Sequence, residues 1–275
     1  MRVRVLTAAV LLPVVLAAAV LGNPWWGLLV TLVALLAVRE QTALAEAAGS
    51  RAAAFVGYPL AAALALDGLV TGADLLRPAL ATAFVAAYAW QIALPPDRRR
   101  LADWSAAVAV PACVGLMAGF AVLLRDLPGG LAWTLLLLAM VWTNDSAAYV
   151  GGRSLGRTPF FPSVSPRKTL EGAVCGTIAT IAVALAAPAF AAQAPRLLGP
   201  LAALTALQLG ALGGLVSVAA PVGDLSESLV KRLAGVKDSG TLLPGHGGVL
   251  DRIDSFAFAA PVAYYFALWI AAGGR

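Results

Sequence analysis

Long, almost uninterrupted apolar runs constrain this chain more than any other feature. A stretch of about 18 or more apolar residues is long enough to cross the hydrocarbon core of a bilayer. Such stretches recur from one end of the sequence to the other, separated by short polar segments. Composition agrees: 61% of the residues are hydrophobic and only 12% are charged, where a soluble domain carries about a quarter charged residues. In hydrocarbon every backbone polar group must be satisfied internally. The fold class that follows is an all-α, polytopic transmembrane helical bundle.

Nine spans are predicted, at roughly 5–22, 25–38, 52–68, 78–94, 105–124, 129–148, 172–192, 199–220 and 255–272. The first follows Arg2 and Arg4 and is too long for the apolar core of a signal peptide, so it is read as a retained span. The second is the shortest, with Trp25 and Trp26 suited to a membrane interface. No polar linker divides the chain, and residues 1–275 are read as one integral membrane domain. Within it, 1–140 supply N-terminal spans, and 141–275 supply the spans and loops that carry the chemistry.

Charge sets the orientation. With the N-terminus in the cytoplasm and nine spans in alternation, only Arg77, Arg125, Arg196 and Arg275 fall on the outer face. The other 15 of the 19 basic residues fall inside, the bias expected of cytoplasmic loops. The net charge of +5 is spread over those loops. It is read as topology determinants and as binders of anionic lipid or nucleotide, with no nucleic acid partner. Cys113 and Cys175 lie far apart inside predicted spans, without metal-ligand spacing, and are read as packing residues.

Two cytoplasmic loops, Gly151–Glu171 and Pro221–Asp254, are longer and richer than a connection requires. The second holds five acids, four bases and the single histidine within 31 residues. Asp251 and Asp254 are three apart, so a helix starting near Gly248 would turn both to one side of its first turn, where acids are favoured by the helix dipole. Glycines such as Gly247 and Gly248 allow backbone N–H groups to approach an anion. Carboxylates beside lysines suit a phosphate bound through Mg²⁺. Taken singly, these residues also read as helix caps and solvated loop charges. His246 alone says little, since no second histidine exists for a typical zinc site.

The other constellation begins at Asp145, an ionisable residue near the cytoplasmic end of the sixth span and therefore a functional candidate. Tyr149 follows it. Further on, Ser165-Pro166 reads as a helix N-cap with proline in the first helical position. That would present Arg167, Lys168 and Thr169 at the mouth of the seventh span. A pair of positive-inside anchors is the simpler reading of Arg167 and Lys168. The topology opens both constellations on the same face.

The stretch from Ser228 to Asp254 resembles the C-terminal motif of the phosphatidate cytidylyltransferases, or CDP-diacylglycerol synthases. Their pattern runs S-x-x-K-R, four residues, K-D, then P-x-H-G-G-x-x-D-R-x-D. It is matched here by Ser228, Lys231, Arg232, Lys237, Asp238, Pro244, His246, Gly247, Gly248, Asp251, Arg252 and Asp254. Upstream, D-x-x-A-Y resembles Asp145, Ala148 and Tyr149, and S-P-x-K-T-x-E-G resembles Ser165 to Gly172. These motifs span roughly the last 135 residues, whereas the first 140 are similar only as hydrophobic spans.

The resemblance implies a membrane enzyme that joins CTP to phosphatidate, giving CDP-diacylglycerol and diphosphate. Metal ligation by Asp224, Asp251 and Asp254 is the expectation, with Mg²⁺ as cofactor and the identity of any second cation left open. Lys231, Arg232, Lys237 and Arg252 are expected to neutralise the phosphates, and Asp238, a further candidate metal ligand, and His246 are counted with them as catalytic. Asp145, Tyr149, Ser165, Lys168, Thr169, Ser228, Gly247 and Gly248 are expected to bind substrate. The partners implied are CTP, phosphatidate, membrane lipids and a second copy of the chain, at the cell membrane with the site facing the cytoplasm. CTP transfer to another lipid phosphate and a CTP-dependent lipid kinase are related alternatives. A transporter would show repeated halves and charges at the bilayer midplane. A lipid-scaffolding protein would have no use for the dense acid–base loop.

Overall fold

The computed structural model describes residues 2–69, 74–242 and 247–273. Among these residues the chain is built from helices: α1 (Arg2–Leu21), α2 (Trp25–Ala47), α3 (Ala54–Leu66), α4 (Leu76–Ala93), α5 (Leu101–Asp126), α6 (Gly130–Leu155), α7 (Leu170–Gln193), the single turn α8 (Pro195–Leu198), α9 (Ala206–Leu233) and α10 (Leu250–Ala271). No strand is present among the described residues, and an isolated antiparallel bridge joins Pro159 and Thr169. Helices α2, α5, α7, α9 and α10 are long and apolar enough to cross a membrane.

The helices are longer than their apolar cores. The second predicted segment was expected at 25–38, but α2 runs on to Ala47, because Arg39, Glu40 and Gln41 are good helix formers and can continue a helix beyond an apolar stretch. α6 also continues, to Leu155, through Gly151 and Gly152, whose missing side chains let it lie against Cys175 and Gly172 of α7. The largest correction is at α9. The expected loop from Pro221 is helical as far as Leu233, with Pro221 inside the helix, as tolerated in membrane proteins. At its other end α9 starts at Ala206, because residues 199–203 form a 3-10 turn.

The chain divides into two compact units. The first comprises Met1–Leu123 and Val230–Arg252, the second Leu124–Leu229 and Ile253–Arg275. In the first unit, Val56, Leu60 and Leu64 of α3, Ala83 and Ala87 of α4, and Ala107 and Val108 of α5 form a buried core. Trp104 closes one flank, its ring centroid 5.6 Å from Phe84 and 5.0 Å from Tyr88. α2 is tied to α5 by the Trp26 indole N–H, which donates to the Ala121 carbonyl at 2.9 Å. At the start of α5 the fully buried Asp103 accepts the Arg51 N–H at 2.7 Å.

In the second unit α6 and α7 pack along a seam of small residues, which lets the backbones come close. Buried Asn144 donates to Thr180 at 3.0 Å, and Thr180 donates onward to the Gly176 carbonyl at 2.8 Å. This fixes α6 in register with α7 directly beside Asp145. Cys113 and Cys175 are free thiols.

Candidate functional site

The residues singled out in the sequence fall into both units. Asp145, Tyr149, Ser165, Lys168, Thr169, Asp224, Ser228 and Asp254 belong to the second; Lys231, Arg232, Lys237, Asp238, Gly247, Gly248, Asp251 and Arg252 belong to the first. His246 lies outside the described residues, as does Pro244.

In the second unit the segment before α7 is shaped by Glu171. Its carboxylate accepts the Arg157 N–H at 3.0 Å, the Thr158 N–H at 3.1 Å and the Thr158 hydroxyl at 2.9 Å. The expected N-cap at Ser165 is displaced by four residues. Thr169 is the cap, its hydroxyl accepting the Gly172 N–H at 3.2 Å, a standard N-cap-to-N3 bond. Ser165 instead sits in a turn, its carbonyl accepting the Lys168 N–H at 3.2 Å. Proline after serine suits a tight turn as well as a first helical position, and here the turn is followed by the bridge from Pro159 to Thr169.

That turn delivers Lys168 to α9. Its ammonium lies 2.7 Å from Asp224 Oδ2, with side chains 26% and 36% exposed. The pair is close without hydrogen-bond alignment, so the buried ammonium keeps its donors unfilled. Asp224 also accepts a long 3.4 Å bond from Ser228, one turn further along α9. On the other side of Asp224, Gly223 meets α10 so closely that a Cβ there would overlap the Asp254 carbonyl. The absence of a side chain at Gly223 thus lets α9 approach the α10 backbone at Asp254. Asp145 feels the charges of Asp254, Asp224 and Lys168, and Ser255 donates to it at 3.5 Å. Tyr149 is exposed, one turn along α6, and accepts from Arg153 at 3.3 Å.

In the first unit Asp251 is fully engaged. Oδ1 pairs with the Lys231 ammonium. Oδ2 accepts the Gly248 N–H at 2.9 Å, the Ser239 N–H at 3.1 Å and the Ser239 hydroxyl at 2.9 Å. Gly247 has φ +79°, a left-handed conformation open to glycine at little cost. A Cβ at Gly248 would overlap Ser239 Oγ and a carboxylate oxygen of Glu40. Lys237, Asp238, Arg232 and Arg252 are exposed. The paired acids therefore take different partners: Asp251 braces a loop and a lysine, while Asp254 accepts its neighbour Ser255 N–H and stands by Asp145.

Sequence reasoning missed Glu40. It is 7% exposed near the end of α2 and accepts from Ser239, Val249 and Leu250. An acid just beyond an apolar span was the available signal, but nothing local indicates a partner some 200 residues away.

Among the described residues, no three His, Cys, Asp or Glu side chains are gathered as a ready-made metal cage. Mg²⁺ does not require one: it is usually held by one or two carboxylates, several waters and substrate phosphate oxygens. Asp224 and Asp254, with Asp145 nearby, supply hard oxygen donors of that kind, and the residues fit the ion.

A family model described as the cytidylyltransferase family matches residues 2–270. The chain is 44% identical over 142 residues to a phosphatidate cytidylyltransferase of Synechocystis sp., covering 52% of this chain and 45% of the relative. It is 45% identical over 142 residues to the Escherichia coli protein YnbB, named as uncharacterized, covering 51% and 44%. It is 41% identical over 169 residues to a phosphatidate cytidylyltransferase of Brucella suis, covering 60% and 59%. The chain thus spans about half the length of the curated relatives it matches.

Proposed function

The chain belongs to the cytidylyltransferase family, and from that premise we propose that it transfers the cytidylyl group of CTP to phosphatidate. A phosphate oxygen of phosphatidate attacks the α-phosphorus of CTP. The bond from that phosphorus to the bridging oxygen breaks, and diphosphate leaves with the electron pair. The nucleophile is already ionised at neutral pH, so the difficulty is repulsion between anions. The protein's work is positioning and electrostatic screening.

The observation that carries the reading is the contact, within one unit, between Lys168 of the upstream motif and Asp224, an acid of α9 one turn before Ser228, where the C-terminal motif begins. An ammonium with unfilled donors beside a carboxylate suits a phosphate anion on one side and a cation on the other. Lys168, with Asp145 and Tyr149, is assigned to the lipid phosphate, and Ser165, Thr169 and Ser228 shape its surroundings. Asp224 and Asp254 would hold Mg²⁺, whereas Asp251 would be open to a metal only on releasing Lys231. When bound, the ion supplies charge neutralisation of the triphosphate. Lys231, Arg232, Lys237 and Arg252 are assigned to the nucleotide phosphates, the Gly247-Gly248 backbone to close approach, His246 to the leaving diphosphate, and Asp238 to a further place among the metal ligands.

All helices but the single turn α8 are taken as spans, nine in number, with the N-terminus and the site in the cytoplasm of the cell membrane. The bias of basic residues supports this. A homodimer is proposed on family resemblance.

Purified protein incubated with labelled CTP, phosphatidate and Mg²⁺ tests the reading. Diphosphate release that depends on phosphatidate, with label entering lipid, is expected. Release of CDP would identify a lipid kinase instead, and no phosphatidate-dependent turnover would remove the proposal.

A further inference from the structure

We propose that Glu40, on α2 in the N-terminal half of the chain, is a positioning residue for the segment that approaches the nucleotide. The inference rests on the cytidylyl-transfer reading above. Glu40 Oε1 accepts the Val249 N–H at 3.0 Å, and Oε2 accepts the Leu250 N–H at 2.9 Å and the Ser239 hydroxyl at 3.0 Å. Val249 and Leu250 lie at the start of α10, where backbone N–H groups have no intrahelical acceptor. A helix usually meets that need with a Ser, Thr, Asp or Asn of its own. Here Gly248 and Val249 offer no side-chain acceptor, and the cap comes from a residue 209 positions away.

Local sequence could not supply the cap without loss. A Cβ at Gly248 would overlap Ser239 Oγ and Glu40 Oε2, so the cap and the glycine exclude any side chain at that position. Burying a carboxylate is expensive unless it is well bonded. Two backbone donors, the Ser239 hydroxyl it shares with Asp251, and the positive end of α10 offset the cost at Glu40. A remote carboxylate also does what a local cap cannot: it fixes the Gly247–Asp251 segment to α2.

Glu40 further reaches Lys231 through a chain of contacts. The Ser239 hydroxyl lies between Glu40 Oε2 and Asp251 Oδ2, at 3.0 and 2.9 Å, and Asp251 Oδ1 holds Lys231. One hydroxyl carries one hydrogen and can donate to only one carboxylate at a time. Glu40 thereby influences both the backbone and the lysine assigned to the nucleotide, without touching either substrate.

The variants Glu40→Gln and Ser239→Ala test this in the full-length detergent-solubilised protein. Glutamine keeps the shape but offers one acceptor oxygen in place of two. The expected result for Glu40→Gln is a rise of about tenfold in KM for CTP, with KM for phosphatidate within about twofold of wild type. Amide hydrogen exchange should be faster at Val249 and Leu250. Ser239→Ala leaves both N–H caps in place and should raise KM for CTP to a smaller extent. Unchanged KM for CTP in Glu40→Gln, or activity lost only in proportion to unfolded protein, overturns the proposal. Should Glu40→Gln fail to fold, Ser239→Ala decides: a raised KM for CTP supports the role, and a wild-type value removes it. A wild-type protein without phosphatidate-dependent turnover would instead remove the underlying function. In that case faster exchange at Val249 and Leu250 in Glu40→Gln supports the clamp, and unchanged exchange overturns it.

Discussion

The Lys168 ammonium lies 2.7 Å from Asp224 Oδ2, joining the turn before α7 to the middle of α9. The two residues are 56 positions apart and come from the two separate polar segments of the sequence, yet they form one ion pair with donor capacity to spare. Removing the cation should be felt first by the lipid phosphate. Lys168→Met is expected to lower kcat/KM for phosphatidate by about 10- to 100-fold, the size of a lost hydrogen bond to a charged group. The protein should remain folded, because partly exposed pairs contribute little to stability. Steady-state kinetics beside a thermal melt check this; a melt that collapses while kcat/KM per folded molecule stays constant would contradict it.

Chelation gives a second expectation. EDTA should abolish diphosphate release and added Mg²⁺ should restore it, with the helical circular dichroism signal unchanged throughout. Asp224→Asn and Asp254→Asn should each raise the Mg²⁺ concentration for half-maximal activity by about tenfold or more. A normal Mg²⁺ response in both variants would take metal binding away from these acids.

Asp251 and Lys231 should behave differently. Their side chains are only 9% and 12% exposed, so breaking the pair leaves a charge without its counterpart, at a cost of about 3 kcal/mol. Asp251→Asn and Lys231→Met are each expected to lower the melting temperature. The double variant should fall short of the sum by about 1–3 kcal/mol. Additive effects in that cycle would mean that the pair does not hold the loop.

Gly248 and Gly214 make a matched contrast. A side chain at Gly248 would overlap Ser239 and Glu40, whereas nothing lies within 4 Å of the Cβ position at Gly214. Gly248→Ala should reduce both activity and thermal stability. Gly214→Ala, within α9, should be neutral or stabilising by up to about 1 kcal/mol, reflecting the better helix propensity of alanine. Equal melting temperatures for the two variants would show that the crowding at Gly248 is relieved at no cost.

The amino-acid sequence by itself determined that this chain is helical, multi-pass and apolar, since backbone groups in hydrocarbon have no other way to be satisfied. It also determined which residue types could carry phosphate chemistry. Helix ends were less legible: α9 runs through the segment read as a loop from Pro221, and the cap of α7 is Thr169 rather than Ser165. Charged residues mark the end of an apolar run, but they do not end a helix whose backbone bonds continue. Tertiary structure alone decided which acid serves which partner. Asp251 is bonded on both oxygens within one unit, and Asp254 sits by Asp145 in the other. It alone showed Glu40 to be the cap of α10. The physical reason is common to these cases. A buried polar atom must find a partner wherever one exists in space, and periodicity and local motifs record only what is near along the chain.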